Sequence, residues 1–91
     1  MAISVQIPAS MQSLTGGKSA IRIEAASMRE LVGNIDNAFP GFSHRIIDEA
    51  GTVRKFVSIY LNDDDIRFIE GLDTPLKPGD EVWIVPPIAG G

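Results

Sequence analysis

Residues 3–7, Ile-Ser-Val-Gln-Ile, alternate apolar and polar positions without a break. A period of two is that of a strand with one buried face, so Ile3, Val5 and Ile7 point one way and Ser4 and Gln6 the other. Pro8 ends the run. Residues 9–19 hold Ser, Thr and the pair Gly16-Gly17, and read as a long hairpin loop. Residues 20–24, Ala-Ile-Arg-Ile-Glu, alternate again and are expected to pair back on the first strand. The period then changes. Met28, Leu31, Val32, Ile35 and Phe39 recur at helical spacing and form one apolar stripe. Ser27 and Glu30, three apart, make the capping-box pattern in front of it, in which each side chain satisfies an orphan amide. Pro40-Gly41 ends the helix, residues 42–47 give at most one further turn, and residues 48–52 are a loop.

Residues 56–61, Phe-Val-Ser-Ile-Tyr-Leu, carry the strongest strand signal, being β-branched, aromatic and uninterrupted. A turn is expected at residues 62–65 and a short return strand at 66–69. Residues 70–80 are rich in turn residues, with Leu72 and Leu76 as core anchors. Residues 81–86 form the last strand. The order is β-β-α-β-β-β. One amphipathic helix covers one face of a small sheet, and a right-handed crossover puts the first and last strands side by side. The expected fold class is therefore α+β, a β-grasp with a mixed sheet of four to five strands and one main helix packed on one face. Its domain runs over residues 1–85, with a flexible Gly-Gly tail over 86–91.

If Val82 and Ile84 face the helix, Trp83 and Val85 face away. On the neighbouring strand Ser58 is the polar member, so Phe56 and Tyr60 share its outward side while Val57, Ile59 and Leu61 turn inward. Phe56, Tyr60, Trp83 and Val85 then share a face with no second layer to cover them. Either loops and hairpin residues such as Met11 and Leu14 shield this set, or it is a partner-binding patch, since exposed aromatic clusters mark interfaces.

Charge and composition narrow the function by exclusion. The formal net charge is −4 and the eight Lys and Arg residues are scattered, which speaks against a nucleic-acid partner; that would need a basic stripe. Without cysteine there is no thiol nucleophile, no Cys-ligated zinc and no iron–sulfur cluster. No apolar run reaches the roughly 20 residues of a membrane span, and the N-terminus lacks the pattern of a signal peptide. A cytoplasmic protein without membrane partners is expected. His44 is the single histidine and reads as a surface residue. Asp63, Asp64 and Asp65 read as turn chemistry rather than a cation site. No acid–base pair, triad or metal cluster emerges, so the chain is expected not to be an enzyme and to bind no cofactor or metal.

The chain ends Pro-Pro-Ile-Ala-Gly-Gly. Pro86-Pro87 favours an extended path away from the body. Ile88, Ala89 and above all Gly90, which has no Cβ, suit a segment that threads a narrow channel together with Pro87. The reactive group at the tip is the α-carboxylate of Gly91, ionised at neutral pH. It can attack the α-phosphate of ATP to give an acyl-adenylate, which a sulfur donor converts to a thiocarboxylate or an amine to an amide. A partner must supply that activating machinery.

This ending, combined with the β-grasp pattern, resembles the ThiS/MoaD family of sulfur carriers, which are ubiquitin-like proteins. Residues 56–91 look most like the branch that carries sulfide for cysteine biosynthesis, the CysO type, through the stretch Tyr60–Phe68. The resemblance implies that Gly91 is adenylated by a ubiquitin-activating-type adenylyltransferase that uses ATP, and becomes a thiocarboxylate. It implies a second partner, a sulfur-accepting synthase that is either cysteine synthase-like or a molybdopterin synthase large subunit. It also places Val85 at an interface hydrophobe of the molybdopterin carriers. Three alternatives stay open: a molybdopterin-synthase small subunit or other biosynthetic carrier, a ubiquitin-like protein modifier, and an interaction module with an inert tail.

Overall fold

The structure, a computed structural model, describes residues 2–55 and 57–86. Strand β1 (Ala2–Gln6) and strand β2 (Ala20–Glu24) form the expected antiparallel hairpin, with Ile3 opposite Ile23 and Val5 opposite Ile21. Their connection is not the expected loop. Ala9–Thr15 wind into a 3-10 helix. Met11 and Leu14 stand three apart, one turn of such a helix; Met11 is buried in the core and Leu14 packs against it. Neither covers the outer face, so the shielding reading fails for both. Gly16 and Gly17 end the helix at φ 68° and 85°, the left-handed region that glycine enters without strain.

Helix α1 (Met28–Ala38) buries Met28, Leu31, Val32 and Ile35 as the spacing required. The capping box forms with one displacement. Ser27 Oγ accepts from the Glu30 amide at 3.2 Å, but Glu30 Oε1 accepts from the amide of Ala26, one residue before the cap. The segment around a further 3-10 turn, Gly71–Asp73, staples the same end of the helix. The Met28 amide donates to the Thr74 carbonyl and the Leu76 amide to the Ala26 carbonyl, both at 2.9 Å. Leu76 is buried and Leu72 packs on the core, as expected of anchors. After α1 the turn expected within residues 42–47 is a short 3-10 segment, Ser43–Arg45.

Strands β3 (Ser58–Leu61), β4 (Asp64–Asp65) and β5 (Glu81–Val85) complete a five-stranded mixed sheet in the order β2-β1-β5-β3-β4. Only β1 and β5 run parallel; the other neighbours are antiparallel. The first and last strands thus lie together at the centre, and α1 covers one face, which is the ubiquitin-like β-grasp. One return strand is displaced from its expected place. Leu61 pairs with Asp64 and Tyr60 with Asp65, so Asn62 and Asp63 alone make the turn, with Asn62 at φ 57°. Residues 66–68 are a 3-10 helix, because the Asp65 carboxylate accepts from the Arg67 amide at 2.9 Å and caps it.

Candidate functional site on the outer face of the sheet

The alternation in β5 decides which side chains meet solvent. Val82 and Ile84 are buried under α1, while Trp83 is 46% and Val85 40% exposed. The register then assembles the outer face. Trp83 lies opposite Tyr60 on β3 and Gln6 on β1, and Val85 lies opposite Ser58. Tyr60, Trp83 and Val85 line one shallow depression whose rim carries Asp63 and Glu81. The indole Nε1 of Trp83 donates to Glu81 Oε1, which fixes the ring against the acidic rim. Three of the four residues expected to form a partner-binding patch are therefore together; the fourth, Phe56, lies outside the described residues.

The depression is held open by the turn at its edge. The Asn62 amide donates to the Glu81 carbonyl at 2.7 Å, and Asn62 Oδ1 accepts from the Glu81 amide at 3.1 Å. Asn62 Nδ2 also reaches Asp80 Oδ1 at 3.3 Å, while Asp80 Oδ2 accepts from the Lys77 amide at 2.8 Å. The turn after β3 and the turn before β5 are thus one hydrogen-bonded unit. Both deliver β5, paired on each side, to its end at Val85.

A second depression, on the far side of Tyr60, was not expected. It is lined by Tyr60, Asp63, Asp64, Asp65, Phe68 and Ile69. Phe68 is 85% and Ile69 43% exposed. Reading residues 66–69 as a strand hid them, because alternation would bury half of that run. The signal available was Asp65 two residues ahead of Arg67, a side-chain cap that stops a strand. Arg67 Nη2 lies 2.7 Å from Asp65 Oδ2. That hydrogen bond is the main cause holding the buried Asp65 carboxyl below the usual carboxylate range.

The residues set aside in the sequence stay apart from this site. His44 is exposed in the Ser43–Arg45 turn. Asp63 and Asp64 are exposed and Asp65 is engaged by Arg67. Among the described residues no three His, Cys, Asp or Glu side chains are grouped so as to hold a metal ion. Also among them, no helix is long and apolar enough to cross a membrane. The covalent and threading positions, Gly91 with Gly90, Ala89, Ile88 and Pro87, lie outside the described residues.

Comparison with known proteins gives these features a context. The profile of the ThiS family matches residues 5–91. The sulfur carrier protein CysO of Mycobacterium tuberculosis is 34% identical over 93 residues, covering all of both chains. Small archaeal modifier protein 3 of Haloferax volcanii is 27% identical over 93 residues, again covering all of both. Among solved structures, a chain in the BexX/CysO complex of Amycolatopsis orientalis superposes with a TM-score of 0.93 at 32% identity, over 99% of this chain and 100% of that one.

Proposed function

This chain belongs to the ThiS family, and from that premise we propose that it is a sulfur carrier whose terminal glycine, Gly91, is loaded with sulfide by other enzymes. The observation that carries the reading is the extent of the match. The family profile runs through residue 91, so the Gly90-Gly91 ending lies inside what this chain shares with the family. The chain is then a protein substrate rather than an enzyme. An adenylyltransferase partner uses ATP: the Gly91 carboxylate oxygen attacks the α-phosphorus, pyrophosphate leaves, and an acyl-adenylate forms. Sulfide then attacks the acyl carbon, AMP leaves, and a thiocarboxylate remains. A synthase partner takes the sulfur, and the likeness to CysO favours cysteine as its destination.

The outer face fits the docking half of this role. Tyr60, Trp83 and Val85 form a largely apolar surface, and Val85 immediately precedes Pro86, so an enzyme that grips this face is positioned to receive residues 87–91. The acidic rim favours a basic partner surface and speeds encounter. Intact-mass measurement after incubation with an adenylyltransferase, ATP and sulfide tests the chemistry. Replacement of one oxygen by sulfur at Gly91 supports the carrier; an unchanged mass with every such enzyme overturns it.

A second reading has its own observation, the full-length likeness to a small archaeal modifier. The same adenylate can acylate a lysine amine, with AMP leaving and an amide forming. Conjugates on other proteins' lysines that disappear in a Gly91 deletion would establish it.

A further inference from the structure

Among the described residues, each large apolar side chain that stands exposed (Phe68, Ile69, Trp83 and Val85) lines one or other of two depressions that share Tyr60 and Asp63. The Trp83 depression sits beside the end of β5 and is absorbed by the carrier reading. The Phe68 depression is not, since it lies on the other side of Tyr60, against the short strand β4 at the sheet edge.

Phe68 stands on a rigid platform. Ile66 is buried at 1% exposure and anchors the 3-10 turn from beneath. Asp65 caps the turn through the Arg67 amide, and Arg67 returns Nε and Nη2 to the Asp65 carboxylate at 2.7–3.2 Å. Arg67 Nη2 also lies 3.4 Å from Ser58 Oγ on β3. The network fixes the backbone that carries Phe68, so a partner that buries the ring loses little backbone ordering entropy. The charge beside it has one sign. Asp63 and Asp64 line the depression and are exposed. Asp65 is answered by Arg67, and the lining holds no cation of its own.

We propose that the Phe68–Ile69 depression is a docking site for a basic segment of a partner protein, one that offers an apolar cleft to Phe68 and Lys or Arg side chains to Asp63 and Asp64. A second copy docked symmetrically is disfavoured, because it would bring its own Asp63 and Asp64 against these. The site requires nothing of the tail and stands whether or not Gly91 carries sulfur.

The test uses the full chain as bait for a random peptide library displayed on phage, with Phe68→Ala and Asp64→Asn chains as comparisons, since Asp64 lines this depression and not the one beside Trp83. Phe68 is so exposed that its truncation leaves the fold intact, which a thermal melt verifies. The expected result is a selected pool rich in Lys and Arg around an apolar residue. Those peptides should bind either variant about tenfold more weakly and lose affinity as salt rises. Selection without a basic bias, failure to select any peptide, or binding indifferent to Phe68→Ala overturns the proposal. Self-association of the full chain that Phe68→Ala abolishes assigns the surface to a second copy and overturns it as well.

Discussion

Ile84 and Trp83 are neighbours in one strand with opposite fates. Ile84 is 5% exposed beneath α1, and Trp83 is 46% exposed on the other side. The difference extends across the sheet. The inner face joins Ile3, Val5, Ile59 and Val82 into one cluster with α1, whereas the outer face keeps Tyr60, Trp83 and Val85 in a depression with acidic edges. The helix side holds the buried core of the domain; the bare side is the one we propose that other proteins read. That division can be broken by substitution.

The largest loss of stability is expected from Ile84→Ala, about 3 kcal/mol by denaturant titration, since it opens a cavity in the packed core. If Trp83→Ala costs as much, the two faces are not different in kind. Asp65→Ala comes next, at about 2 kcal/mol, because it removes a cap and leaves Arg67 without its carboxylate. The same pair predicts the acid limb. Asp65 is depressed when folded, so its contribution is fully present above the unfolded value of about 3.9 and is lost as pH falls through the lower folded value. The stability gap between wild type and Asp65→Asn should therefore shrink in strong acid; a gap constant with pH would reject the ion pair as its cause.

Asn62→Ala should cost about 1 kcal/mol, since alanine tolerates φ 57° poorly and the side-chain bonds to Asp80 and to the Glu81 amide both go. Trp83→Ala should change the melting midpoint little and weaken binding to the adenylyltransferase about tenfold or more. Smallest of all in its effect on stability, deleting Gly90-Gly91 should leave the midpoint unchanged while abolishing sulfur loading. A large fall in midpoint would give the tail a structural role and blur the contrast between the two sides.

Much of this was legible in the sequence because it rests on periodicity. The inward set Val82 and Ile84, the stripe from Met28 to Ile35 and the pairing of the first and last strands all follow from spacing and connection rules. What escaped was set by side chains acting on the backbone. Asp65 caps the next turn and cuts β4 to two residues, so Phe68 and Ile69 left the strand pattern and joined the surface. The hairpin loop hid a 3-10 helix because Met11 and Leu14 are its only large apolar residues, too few to show a period. The carboxylate chemistry of Gly91 follows from the residue types of the Pro-Pro-Ile-Ala-Gly-Gly ending and from the family resemblance, not from periodicity.

The central place of β5 carries a consequence for synthesis. Residues 81–85 are made after β1 and β3, yet they fill the gap between those two strands. Until they emerge, two strand edges stay open and the sheet cannot close. A chain released early lacks both the wedge that completes the fold and the glycines beyond it. Closure of the sheet therefore requires synthesis through β5, and a chain cut short before residue 81 keeps two open strand edges.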